Sequence, residues 1–246
     1  MKRKLEICCG DINSVIAAEQ GGADRVELCS GLEAGGLTPS IGMVRKAVNA
    51  CRNARVHVLV RPRSGDFLYN QAEIDVMLDD VAAIRDAGAA GVVIGALTSD
   101  GGIDTATCRK LIEAADGISV TFHRAFDMTS DPETALEEII ALGCNRILTS
   151  GCAPTLLEGA ERIKSLLKAA GDRIILLGGC GVSPDNARTI LDQTGLIELH
   201  ASARSAVASR MSFRNQSVSM GKTGEDEFSV METDINKVKQ LVEILK

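Results

Sequence analysis

The strongest constraint on this chain is a unit that recurs eight times. Each unit is a short β-branched or apolar run, a turn, and then an amphipathic helical pattern. The strand patterns fall at 5–9, 25–28, 56–60, 91–94, 118–122, 145–148, 173–177 and 196–200. Helical patterns begin near Ile12, Ser40, Ala72, Asp104, Asp131, Pro154 and Pro184, and a last one runs from about Asp234 to Leu245. Thr38-Pro39, Asp131-Pro132 and Ser183-Pro184 read as an N-cap residue followed by Pro at the first helical position. Glycines at Gly22, Gly88, Gly143 and Gly171 fit the stops. Eight strand–helix units in 246 residues predict an α/β chain folded as a single (β/α)8 TIM barrel over residues 1–246. A doubly wound open sheet is the alternative, but the G-x-G-x-x-G expected after its first strand is absent. No linker or low-complexity tract divides the chain.

Composition narrows the partners. A net charge of −6 and an aromatic content of 2%, with no Trp, argue against nucleic acid, which needs basic surface and stacking platforms. No apolar run approaches a membrane span. The basic start Met1-Lys2-Arg3-Lys4 meets Glu6 too soon for a signal peptide, so a cytoplasmic location is expected. Eight cysteines occur without any C-x-x-C pair, which points to reduced thiols rather than a zinc knuckle or a disulfide framework. Cys51 and Cys108 fall on apolar helix faces and Cys144 at a strand start, so these three read as small core residues.

In a barrel, each strand's outward residues pack on helices, and the other parity faces inward. Leu5, Ile7 and Cys9 then point out and Glu6 and Cys8 in; Val26 and Leu28 point out and Glu27 and Cys29 in. The third strand turns His57, Leu59 and Arg61 inward, the fifth Ser119, Thr121 and His123, the eighth Glu198, His200 and Ser202. Such an interior is far more polar than the branched apolar layers usual for this fold. Buried Glu6, Glu27 and Glu198 need partners, for which Arg61, His123 and His200, or a ligand, are the candidates. A closed ion-pair network without chemistry explains any one of these residues. The whole set, at one end of five strands, favours a working site with Glu6, Glu27, Arg61, His123 and His200 as its acid–base and charge-stabilising groups.

Other features suit an anionic ligand. Gly178-Gly179-Cys180-Gly181 leads from the seventh strand toward a helix N-terminus, Ser150-Gly151 and Ser202 add donors beside it, and Arg63 joins Arg61 on a neighbouring loop. The segment from Ala203 to Glu232, with Arg204, Arg210, Arg214 and the polar stretch 222–227, is too long for an ordinary connection. It reads as a lid over the mouth or a contact in a homo-oligomer.

Several stretches carry a family resemblance: Glu6-Ile7-Cys8, Gly21 through Gly31, Arg61-Pro62-Arg63-Ser64-Gly65-Asp66-Phe67-Leu68-Tyr69, Gly95-Ala96-Leu97-Thr98, Thr121-Phe122-His123-Arg124-Ala125-Phe126-Asp127, Leu148-Thr149-Ser150-Gly151 and Ser202-Ala203-Arg204-Ser205. In order, and over nearly the whole chain, they resemble the CutC copper homeostasis family. The resemblance implies a cytoplasmic (β/α)8 barrel that binds copper as Cu(I), with Cys8 and Cys29 as its ligands. Soft thiolates select Cu(I), and neighbouring strands lie about 4.8 Å apart, close enough to share an ion. Cys9, Cys152 and Cys180 are further thiols near that site. The carboxylates and guanidiniums are not explained by copper. They leave open an enzyme (a lyase, isomerase or hydrolase acting on a small anionic, even phosphorylated, substrate) or a non-catalytic sensor of an anionic metabolite.

Overall fold

The computed structural model describes residues 3–215, 217–218, 226 and 228–246. Eight parallel strands, β1 (Lys4–Cys9), β2 (Arg25–Leu28), β3 (Arg55–Leu59), β4 (Gly91–Ile94), β5 (Ser119–Phe122), β6 (Arg146–Thr149), β7 (Ile175–Gly178) and β8 (Glu198–Ala201), pair in chain order. The pairing of β8 with β1 closes the barrel. The helices around it are α1 (Ile12–Gly21), α2 (Ile41–Ala50), α3 (Gln71–Asp86), α4 (Thr105–Ala115), α5 (Pro132–Ala141), α6 (Ala160–Ala170), α7 (Ala187–Thr194) and α8 (Ile235–Leu245). The expected (β/α)8 barrel is therefore the observed fold. Among the described residues no helix is long and apolar enough to cross a membrane.

Side-chain caps fix most helix starts. Asp11, Ser40, Asp104, Asp131 and Asp234 accept backbone N–H bonds at their helix N-termini, and Asn70 with Glu73 forms a reciprocal capping box. Of the three expected X-Pro starts, only Asp131-Pro132 stands as the cap and first residue. Ser40, one residue beyond Pro39, caps α2, and Pro184 lies in a turn before α7. The helix expected at Pro154 begins at Ala160. The residues between form a loop held down by buried Leu156, whose N–H donates to the Cys180 carbonyl at 3.0 Å.

Between the sheet and the helices lies the main apolar core, which includes Leu5, Ile7, Cys9, Val26, Leu28, Val56, Val58 and Val60, as strand parity requires. A second, small cluster of Cys8, Cys29, Leu59 and Val93 lies inside the barrel. After β8 the chain forms an antiparallel hairpin, β9 (Arg204–Ala208) with β10 (Ser229–Thr233). Its root is tied to α1 and α8: Thr233 N–H donates to Ser14 Oγ at 3.0 Å and Lys237 Nζ to the Arg204 carbonyl at 2.7 Å. Arg210 and Arg214 are exposed, and the stretch 222–227, apart from Asp226, lies outside the described residues.

Candidate functional site

The barrel register sets the chemistry in tiers. Glu6 of β1 is level with Arg25 of β2 and with His200 of β8, and one tier higher Cys8 is level with Glu27. The lower tier is a closed charge network. Arg25 pairs with Glu6 through Nε and with Glu198 through Nη2 at 2.6 Å, and Arg146 Nε reaches Glu198 at 3.1 Å. This corrects the expected pairing. The partners of the buried glutamates are Arg25, Arg146 and His200; neither Arg61 nor His123 bonds them. Arg25 shares the parity of Glu27 and Cys29, so the same alternation that found those two also marks it as inward. Burial alone would raise the Glu6 carboxyl, but the Arg25 charge and the His200 hydrogen bond hold it well below the usual carboxylate range.

His200 links this network to the mouth. Its Nδ1 lies 2.7 Å from Glu6 Oε1 and its Nε2 3.7 Å from Glu27 Oε2. Burial disfavours its charge, yet Glu27, Cys8 and Glu6 outweigh that and raise it well above the ordinary histidine value, so it is an imidazolium bridging two carboxylates. Glu27 is raised as well: burial lifts its carboxyl, and the lowering charge of His200 offsets this only in part. Above them, Cys8 Sγ and Cys29 Sγ are 3.4 Å apart and buried. The Cys29 contact, burial and Glu27 raise the Cys8 thiol well above its usual range. Cys29 is raised too: its contact with Cys8 lowers it, but burial and Glu27 prevail. Both are thiols at neutral pH. The Cys8, Glu27 and His200 donor atoms all lie within 4.8 Å of one another.

These groups border a cavity of about 330 Å³ at the C-terminal end of the strands, together with Arg61, Phe67, His123, Arg124 and Asp127. Hollows of about 640 and 580 Å³ lie at the opposite end and hold neither thiols nor the Glu27–His200 pair. No described residue of the hairpin segment lines the mouth cavity. Arg61 is fixed by the carbonyls of Ala34, Gly36 and Gly65, at 3.0, 2.9 and 2.7 Å. His123 Nδ1 accepts the Ala125 N–H at 3.1 Å, and burial, then the Arg61 charge, pushes the ring down to about 3, so it is neutral.

The expected anion-binding residues are committed elsewhere. Ser150 N–H and Oγ–H and Cys152 N–H all donate to the Asp127 carboxylate at 3.0–3.1 Å, and Gly151 N–H donates to Thr149 Oγ1 at 2.8 Å. Arg63 pairs with Asp66 at 2.9 Å and Glu73 at 2.6 Å, outside the cavity. Gly178 and Gly179 are packing glycines: a Cβ at Gly178 would stand 2.4 Å from Leu196, and one at Gly179 2.7 Å from Leu148. The Ser202 carbonyl accepts from Thr233 Oγ1 at 3.3 Å, and Ser202 does not line the cavity. Asp127 is the residue that reading by strand parity misses. It sits on a short 3-10 turn, Arg124–Met128, after β5, and no periodicity reveals that this turn folds back onto the end of β6. Of the other thiols, Cys9 is in the outer core, and neither Cys152 nor Cys180 lines the cavity.

Comparison with known proteins bears on this geometry. A profile described as the CutC family matches residues 3–205. A family protein CutC of Bacteroides thetaiotaomicron is 48% identical over 246 residues, covering 100% of this chain and 99% of the relative. A human protein named copper homeostasis protein cutC homolog is 46% identical, covering 98% of this chain and 89% of its own length. The crystal structure of a protein described as a copper homeostasis protein CutC, from Streptococcus agalactiae, superposes with a TM-score of 0.78 at 32% identity, over 81% of this chain and 98% of that one.

Proposed function

Starting from the fact that the chain belongs to the CutC family, we propose that it is a cytoplasmic copper homeostasis protein that takes Cu(I) as cargo on Cys8 and Cys29. The observation that carries this reading is the 3.4 Å separation of the two sulfurs inside the mouth, close enough for one ion to touch both. The donor set fits a soft monovalent ion: two thiols that ionise as they bind it, while His200, held as an imidazolium between Glu6 and Glu27, offers the ion no lone pair. Glu27 is a hard donor that suits such an ion poorly, and its role here is to balance His200. Because both thiols are protonated at neutral pH, loading the ion releases their protons, and uptake strengthens as pH rises. The name of the human relative supports the role in copper homeostasis. All eight cysteines are free, in keeping with a reducing compartment.

Anaerobic titration with Cu(I) against a competing chelator tests the proposal. The wild-type chain is expected to take up about one ion, and Cys8→Ala combined with Cys29→Ala to take up none. Equal uptake by the double variant defeats it.

A further inference from the structure

The dithiol leaves half of the mouth without a role. On the opposite wall stand Arg61 and His123, 6% and 5% exposed, each within about 5 Å of the Phe67 ring: Arg61 Cζ at 5.1 Å and the His123 centroid at 5.0 Å. Arg61 is a buried cation whose guanidinium hydrogen bonds, among the described residues, all go to carbonyl groups. Among the described residues no carboxylate pairs with it, and its Nε has no hydrogen-bond partner. His123 uses Nδ1 as an acceptor, so its proton sits on Nε2, and Nε2 is buried with no partner either. A buried charge without a counter-charge and a buried hydrogen-bonding group without a partner are each unfavourable. Two such costs on one wall of one cavity call for a ligand that relieves both.

We propose that the mouth has a second binding site, separate from the dithiol, for a small organic monocarboxylate, which pairs with Arg61 and accepts a hydrogen bond from His123 while its apolar body lies on the Phe67 side of the cavity. Charge selects the class. Arg124, the other guanidinium at the mouth, is taken by Asp127 at 2.8 Å, which leaves one uncompensated positive charge on this wall and so favours a monoanion over a phosphate dianion. The backbone cradle in which a phosphate would lie is filled by Asp127 as well. Size agrees, since 330 Å³ is at the low end of the ~300–1,000 Å³ typical of ligand pockets. Leu32, Leu59, Met128 and Leu148 supply the apolar lining. This site stands whether or not copper occupies the thiols.

Benzoate and inorganic phosphate are the probes, titrated calorimetrically into the full chain at about 0.1 M salt. Benzoate is expected to bind saturably and to shift the His123 Nε2 ring-nitrogen resonance; phosphate is expected to do neither. His123→Phe, which keeps a ring in place, should weaken benzoate about tenfold or more, as loss of a hydrogen bond to a charged group does. Arg61→Met should weaken it further. Should Arg61→Met fail to fold, the His123 variant and the nitrogen resonance decide. The site is refuted if benzoate does not saturate, if His123→Phe binds it as well as wild type, or if phosphate competes on equal terms.

Discussion

Removing Arg25 isolates the charges on which the barrel interior rests. In Arg25→Met the chain keeps a long apolar stem but loses the guanidinium that pairs with both Glu6 and Glu198, which are 1% and 2% exposed. Breaking a buried ion pair by removing one partner costs about 3–5 kcal/mol, because the surviving charge is stranded. Here neither survivor is wholly stranded: Glu6 keeps His200 at 2.7 Å and Glu198 keeps Arg146 at 3.1 Å. The loss should therefore sit near the lower end, about 3 kcal/mol. With a urea m-value of about 3 kcal/mol/M, the denaturation midpoint should fall by roughly 1 M. Adding Glu6→Gln to Arg25→Met should recover most of that loss, since Glu198 then still pairs with Arg146 and His200 with Glu27, and no buried charge is left stranded. A loss below about 1 kcal/mol in the single variant would refute the assignment of Arg25 as the keystone. A double variant as unstable as the single one would show that the cost is packing rather than charge.

Three further outcomes follow from the same geometry. His57 is lowered to about 3 by burial and by the Arg25 and Arg146 charges, and His123 to about 3 by burial and Arg61. Both fold as neutral rings, so their contribution is complete above the unfolded value of about 6.5 and drains as pH falls toward 3, by about 1.4 kcal/mol per pH unit for each ring. Urea midpoints measured from pH 7 to 5 should fall less steeply in His57→Gln, and an unchanged slope rejects this reading. Gly159→Ala should destabilise by several kcal/mol, because its Cβ would stand 1.9 Å from the Ser150 carbonyl oxygen, backbone against backbone. Gly42→Ala, on α2 with nothing nearer than Ser40 Oγ at 3.9 Å, should instead stabilise by about 0.5–1 kcal/mol, and thermal melts compare the two directly. Cu(I) uptake by the wild-type chain should rise between pH 6 and 8, tracked by chelator competition; a flat profile contradicts the protonated state of Cys8 and Cys29.

The barrel was legible because its signal is local. Alternation along each strand separates Glu6 from Ile7 and Cys8 from Cys9 without knowledge of any neighbour, and the structure buries Ile7 and Cys9 in the outer core. What the sequence does not encode locally is who meets whom inside. Arg25 bonds Glu198 across 173 positions, and Thr149 and Ser150 receive Asp127 from a turn more than 20 residues earlier. Glycine runs were ambiguous for a related reason. Gly178-Gly179 has the composition of an anion-binding turn, but leucines pack where its side chains would be. A turn that cradles a ligand and a turn that clears space for a neighbour look alike until that neighbour is placed.

The Asp127 carboxylate has a consequence for what the mouth admits. A carboxylate built into the chain and held by Arg124 acts as a tethered competitor at its own cradle, with an effective concentration of about millimolar or more. Any free anion has to displace it before it can use those amide donors. The amide donors that follow β6 are thus already satisfied by a carboxylate of the chain itself, and an anion entering the cavity finds them taken.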